Sequence, residues 1–329
     1  MLKRTSLWVG ILISVVFLWL AFREVDFARV KEAIKDANYG YFVLALILSM
    51  GTTVFRTIRW RYILTPLCAL KYHRIFSWIC IGYMANNLLP ARLGEVLRAY
   101  MMGKKEGVSK SATLGTIVVE RIFDGLALLF LLLLMPYFFS LPAWAKKAGI
   151  FGTAFFISAS FVLILFLIKK EAAVELIKGI VSRLLPWIAD RVGHLLSAFV
   201  LGLEIIYYRK RILAIFVFSI LVWIQEALCY YAVAFSFGLD LPFYVPIFTV
   251  IMVNLGIMIP ASPGYVGTFE FFTILSLGLF QVEKSLAASY SVVVHAAVFI
   301  PVTLIGLIYF WREHINFKEL EKARKEVKK

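Results

Sequence analysis

In the apolar stretch SATLGTIVVERIFDGLALLFLLLLMPYFF, Ser111 to Phe139, charge is carried by Glu120, Arg121 and Asp124. Glu120 lies about ten residues in, roughly 15 Å along a helix, near mid-membrane if the helix stands upright. Glu120 and Asp124 share a face at a spacing of four, and Arg121 reaches Asp124 at a spacing of three. Two like charges stacked in low dielectric are costly unless a cation or a proton intervenes. The stretch NNLLPARLGEVLRAY, Asn86 to Tyr100, offers cations. Its Arg92, Glu95 and Arg98, spaced by three, fall on one broad face of a helix. These six residues make three positive and three negative charges, a set expected to neutralise itself in a protein-lined cavity.

Such a set has two readings. One is a structural ion-pair network that fixes one segment against the next, since buried charges must pair whatever they do. The other places the arginines at the mouth of a cavity that receives an anionic headgroup, with Arg56 as a further cation or as a basic anchor at a span end. Further along, Gln225, Glu226, Asn254, Glu270 and His295 are the polar residues expected at membrane depth. His295 reads either as a proton relay or as a packed imidazole satisfied by a neighbouring carbonyl.

The elements that hold these residues follow from composition. The chain has 329 residues, 62% hydrophobic, with a mean hydropathy of +0.86, more apolar surface than a soluble core of that length can hide. This excludes a soluble class and indicates an all-α polytopic membrane protein, a single membrane domain over residues 1–329. The net charge of +15 does not point to nucleic acid, because the basic residues cluster beside apolar runs. Cys68, Cys80 and Cys229 have no ligand spacing, so neither a disulfide framework nor a metal site is indicated. No GxxxxGK[ST] loop or other cofactor motif occurs, and no catalytic residue is assigned.

Six segments are long enough to span: 7 to 22, 40 to 58, 111 to 139, 150 to 168, 212 to 237 and 285 to 310. The first follows Lys3 and Arg4 and, lacking an A-x-A-like cleavage site, is expected to stay as an uncleaved span. Two further apolar runs are broken. One is 75 to 89, ending at Pro90 before Gly94; the other is 246 to 280, interrupted by Pro260, Pro263, Gly264 and Gly267. Each reads as a re-entrant helical hairpin. With six spans and both termini in the cytoplasm, the inner segments carry 27 Lys and Arg and the outer ones 7. That asymmetry obeys the positive-inside rule of the cytoplasmic membrane.

The hairpins then insert from opposite faces, giving two inverted halves, 40–139 and 212–310, joined by an amphipathic cytoplasmic connector, 169–211. Asn87, Pro90, Gly94 and Glu95 correspond to Asn254, Pro263, Gly267 and Glu270, and the 25 positions from Glu95 to Glu120 recur from Glu270 to His295. Broken apolar segments at matching places in two halves point to a transport site, with half-helix N-termini offering positive dipole to an anion.

At NNLLPARLGEVLRAY, VERIFDGLAL and PASPGYVGTFE the chain resembles the flippase-like family named after the transmembrane region of lysylphosphatidylglycerol synthase, over residues 5 to 312. The resemblance implies a polytopic inner-membrane protein that moves or handles lipids with charged or glycosylated headgroups. The matching positions are Asn87, Pro90, Arg92, Gly94, Glu95, Arg98, Glu120, Arg121 and Asp124, with Pro260, Pro263, Gly264, Gly267 and Glu270. The synthases carry an aminoacyl-transferase domain after this region; here a short basic tail follows, and lysine transfer is not expected. The sequence reading is a translocase of an amphiphilic anion, a phospholipid or a polyprenyl-phosphate-linked molecule. Two rivals stand beside it: an intramembrane lipid-phosphate enzyme using Glu120 or Asp124 as base, and a scaffold docking a separate cytoplasmic enzyme through 169–211.

Overall fold

The computed structural model describes residues 2–89, 92–184, 186–259 and 261–315. Pro90 and Pro260, two of the expected helix breakers, and the basic tail lie outside the described residues. Thirteen α-helices and no strands are present among those described: α1 (Leu2–Phe22), α2 (Phe27–Asp36), α3 (Tyr39–Leu64), α4 (Tyr72–Leu88), α5 (Leu93–Glu106), α6 (Lys110–Leu134), α7 (Ala143–Ile168), α8 (Lys170–Leu184), α9 (Ala189–Leu203), α10 (Arg209–Ser236), α11 (Tyr244–Gly256), α12 (Thr268–Gly278) and α13 (Lys284–Arg312). α3, α7, α10 and α13 are long and apolar enough to cross a membrane. α6 has the length, 25 residues, but carries the buried charges.

Helix starts are set by side chains that take up otherwise unpaired amides. Asn38 caps α3, Ser109 caps α6 and Glu283 caps α13. Gly107, at φ 70°, ends α5 in the left-handed region, where a residue without Cβ is least strained. The order long, short, short, long occurs twice, in α3–α6 and in α10–α13. The packing repeats with it: α3 lies along α10, α6 against α10, α13 against α3, and each short pair packs on itself.

Contacts at two edges show how the short pairs close. Arg74, at the start of α4, bonds Glu106 at the end of α5 at 2.6 Å and also reaches Glu313 beyond α13. At the other edge Tyr244, opening α11, lies 6.0 Å from Phe280, just past α12, with Phe139 against both. Each short pair therefore begins and ends at the same edge of the bundle.

Two apolar cores fill the bundle, one around Tyr230, Phe248, Ile274 and Tyr290, the other around Trp60, Trp78, Leu97 and Met101. Between them, α3 buries a run of polar residues from Ser49 through Thr52, Thr53, Arg56 and Thr57 to Arg59. The sequence reading ended this span at residue 58 and placed Arg56 at its cytoplasmic end. The helix instead continues to Leu64, because Trp60, Ile63 and Leu64 are fully buried and hold the last turns in the second core. Elsewhere the expected 111–139 span ends as α-helix at Leu134 and closes in a 3-10 turn with Pro136. The connector forms α8 and α9, and α9 packs onto α6 where Gly202 meets the Ala112 carbonyl. α7 contributes little to the interior: Phe151, Phe155, Ile157, Phe161 and Val162 are exposed, as suits a surface in hydrocarbon.

At the α4–α5 crossing a Cβ on Gly94 would collide with the Gly82 carbonyl oxygen and with Asn86. Gly94→Ala is expected to cost about 1 to 3 kcal/mol by overpacking. It should lower the temperature at which the detergent-purified protein stops being monodisperse. Gly179→Ala in α8, where nothing lies within 4 Å, should not lower it.

Candidate functional site

The charged residues form a chain of alternating sign. Arg98 of α5 bonds Glu120 of α6 at 2.5 Å. Glu120 also takes Arg59 of α3 at 3.1 Å, and Arg59 continues to Asp124. From Asp124 the chain passes to Arg56 at 3.7 Å and from Arg56 to Glu226 of α10 at 3.3 Å. Arg121 stitches its side, reaching Glu120 at 2.8 Å, Asp124 at 3.3 Å and Glu95 at 3.6 Å. Four arginines thus face four carboxylates. Arg59 and Glu120 are both 0% exposed, which low dielectric permits only when each charge is compensated at contact distance.

The aromatic and polar surroundings fix these groups. Arg98 lies 4.1 Å from the ring centre of Trp60, and Arg56 sits between Tyr83 and Trp223 at 5.2 and 5.0 Å. Ser219 accepts from Arg59 at 2.9 Å, and the Trp223 indole donates to the Asp124 carbonyl at 3.1 Å.

The network differs from the sequence expectation in membership. The pairing of Arg121 with Asp124, and of Glu120 with Arg98, is present. Arg92 is not in the chain. It precedes α5 in the left-handed region at φ 52°, and this turns its guanidinium to the other short pair, donating to the Ile257 carbonyl at 3.3 Å and lying 5.9 Å from the Tyr265 ring. Arg59 takes the central place, and sequence reading missed it. The signal was there: Arg56 and Arg59 are three apart, on the face that also presents Ser49, Thr52 and Thr53.

Above the network lies a cavity of about 300 Å3. Its polar lining comes from Thr52, Arg56, Tyr83, Asn87, Arg92, Glu95, Arg121, Asp124, Glu226 and Asn254. Its apolar wall comes from Leu128, Phe155, Phe156, Ile257, Met258, Phe269 and Phe299. α3, α4 and α6 line it from one helix group, α10, α11 and α13 from the other, and α7 closes its side. Asn87 donates to Thr303 at 2.8 Å, and Asn254 to Glu226 at 3.5 Å and to the Val250 carbonyl at 2.9 Å.

Four of the expected cavity residues lie off this wall. Arg98 and Glu120 are sealed beneath it as the buried end of the charge chain. Glu270 and His295 pair with each other at 2.5 Å behind it. The His295 ring stacks on Phe269, 4.2 Å between centres, and its other nitrogen meets the Gly264 carbonyl at 3.0 Å. The same Glu270 accepts from the Gly267 amide at 2.6 Å. Gly264 and Gly267 have φ of 72° and 94°, a conformation that the capping carboxylate and the imidazole hold in place. Asn86 likewise occupies the Gly94 amide at 2.8 Å. At each of the two half-helix starts that were expected to offer amides to an anion, one amide, that of Gly94 and that of Gly267, is taken by a side chain of the protein.

Residues 7–306 match the family described as lysylphosphatidylglycerol synthase TM region. The chain belongs to this family. Family relatives of similar length include a UPF0104 membrane protein of Methanothermobacter thermautotrophicus, 26% identical over 95% of this chain and 97% of its own. A UPF0104 membrane protein of Methanocaldococcus jannaschii is 23% identical over 93% of this chain and 95% of its own. The glycosyltransferase AglD of Haloferax volcanii is 25% identical over 92% of this chain but over 54% of its own length. No solved structure matches the chain. With this family and four apolar helices of spanning length, the chain is a multi-pass membrane protein.

Removing one arginine from the buried chain leaves a carboxylate uncompensated, at about 3 to 5 kcal/mol. Arg59→Ala is expected to abolish or sharply lower the yield of folded protein. Glu120→Gln combined with Arg98→Met should recover part of the loss from Glu120→Gln alone, as read by size-exclusion profile. Unchanged yield in Arg59→Ala would show that the chain is not coupled.

Proposed function

We propose that the protein translocates an amphiphilic anion, a phospholipid or polyprenyl-phosphate-linked lipid, across the cytoplasmic membrane. The observation that carries this is the two-natured cavity: its lining combines the guanidinium-bearing residues Arg56, Arg92 and Arg121 with Phe155, Phe156, Ile257, Met258 and Phe299. Such a lining matches a charged head joined to apolar chains. The names of the family and of the glycosyltransferase relative agree with a role in membrane-lipid chemistry.

In this reading α1, α3, α6, α7, α10 and α13 span the bilayer, and α4–α5 and α11–α12 are re-entrant. Support comes from length and from the edges. α11 and α12 have 13 and 11 residues, about 20 and 17 Å at 1.5 Å per residue, too short for a hydrocarbon core of about 30 Å. Each pair also begins and ends at one edge. The repeated order of α3–α6 and α10–α13 then reads as two inverted halves, and rocking of one on the other would expose the cavity to each face in turn. The Lys and Arg distribution orients both termini to the cytoplasm.

Two measurements test the reading. Cysteines at Gln281 and Arg209 should react with a membrane-impermeant reagent from opposite sides of oriented vesicles; reaction from one side defeats the topology. In proteoliposomes, fluorescent phosphatidylglycerol should cross when wild-type protein is present and be recovered chemically unchanged. Arg92→Ala, outside the buried charge chain, should slow crossing roughly tenfold or more, the worth of one lost charge-assisted hydrogen bond. Conversion of the lipid headgroup in place of crossing would favour an intramembrane enzyme. Activity only with an added cytoplasmic protein would favour a scaffold.

A further inference from the structure

The carboxylates that line the cavity are unequally provided with cations. Asp124 is paired with Arg59, Arg121 and Arg56. Among the described residues, Glu226 has Arg56 as its ion-pair partner and nothing else but the amide of Asn254. Arg56 is thus the cation that Asp124 can spare and Glu226 cannot.

Arg56 also lines the cavity. It is 6% exposed, and its Nη1 atom is buried without a hydrogen-bond partner, with Asp124 Oδ2 at 3.7 Å. One helical turn away on the same face of α3, the hydroxyl of Thr52, 6% exposed, is likewise without a partner. Both residues line the cavity. Two buried, unsatisfied donors, one of them charged, at a helical spacing of four become a seat for the oxygens of a phosphoryl group once their side chains turn into the cavity.

We propose that Thr52 and Arg56 bind the phosphoryl group of the anion, that this draws Arg56 away from Glu226, and that Glu226 then takes up one proton from the cavity. The chemistry balances in charge: one negative headgroup enters, and one carboxylate becomes a neutral carboxylic acid. The O–H that forms can donate to the Asn254 side-chain oxygen once the amide is turned. The driving cause is that a carboxylate deprived of its cation in low dielectric is stable only when protonated. Facing Glu226 are Arg56 from α3, Asp124 from α6 and Asn254 from α11, with Cys229 and Tyr230 on its own helix. From α12 and α13, Glu270 and His295 are engaged with each other, and Tyr290 donates to the Tyr230 carbonyl. None of these offers Glu226 a second cation. The cavity supplies the water path for the proton, since Glu226 is on its wall. Uptake of lipid would thereby be coupled to a proton, which gives translocation an energy source.

The inference rests on the anion-binding reading above, and the experiment separates the two. Dihexanoyl phosphatidylglycerol, a soluble phosphodiester monoanion, is titrated into the purified full-length protein by calorimetry in two buffers of different ionisation enthalpy, between pH 6.5 and 8.5. Wild-type protein is expected to take up about one proton per lipid bound, and its affinity to fall about tenfold for each pH unit, as linkage requires. Glu226→Gln should bind with no proton uptake and a flat pH profile, and Thr52→Val should weaken binding while keeping the slope. Dimethyl phosphate and inorganic phosphate are titrated in parallel: binding of the lipid alone assigns the seat to a lipid headgroup, and equal binding of inorganic phosphate assigns it to the free anion. Lipid binding with no proton uptake overturns the coupling and leaves the anion site standing. No binding of any of the three to wild-type protein overturns both. The wild-type pH profile decides the matter even if a variant fails to fold.

Discussion

A guanidinium and a carboxylate withdrawn completely from water set the terms for this protein. Arg59 and Glu120 have no exposed surface, and neither is tolerable alone at that depth. Their requirement for partners propagates outward: Glu120 recruits Arg98 and Arg121, Arg59 recruits Asp124, Asp124 recruits Arg56. The result fastens α3, α5, α6 and α10 to one another at a single level, between two apolar cores that otherwise do not specify how the helices should slide along each other. In hydrocarbon, where helix faces lack a hydrophobic reason to associate, such polar pairing and close backbone approach set the register. Gly94 against Gly82 and Gly202 against Ala112 supply the close approach.

Much of the arrangement was legible in the sequence. Hydropathy placed the long helices, and the breaks around Gly94 and Gly264–Gly267 marked where short ones turn back, because these are local properties of length, apolarity and turn residues. Pairing by spacing along one helix also worked, as with Arg121 and Asp124. What could not be read was partnership between helices. Arg92 and Arg98 look equivalent by spacing, yet one residue of left-handed backbone sends Arg92 to the opposite helix pair. Arg56 and Arg59 look like a basic span end, because a run of three arginines near a span boundary is ordinarily an orientation signal. Only the burial of Trp60, Ile63 and Leu64 beyond them reveals that the helix, and the packed interior, continues.

The two sets of polar residues have different fates for the same reason. Glu270 and His295 satisfy each other and the glycine-rich break, so their capacity is consumed in holding a backbone conformation. Thr52, Arg56 and Asp124, all lining the cavity, keep buried side-chain atoms without a hydrogen-bond partner. A polar group that is fully partnered is structure; one left short of a partner beside an open volume has something to offer a ligand.

The size of that volume has its own consequence. About 300 Å3 admits a phosphorylated head with a few adjoining atoms, and the chains of a lipid bound there must hang outside. They would leave past Phe155 and Phe156 on α7, the least buried of the four helices of spanning length, where Phe156 lies against Gly125. A tail in that position meets only what it would meet in the bilayer. In that arrangement selection would fall on the head alone, and lipids that differ in the length or saturation of their chains would be interchangeable to such a site.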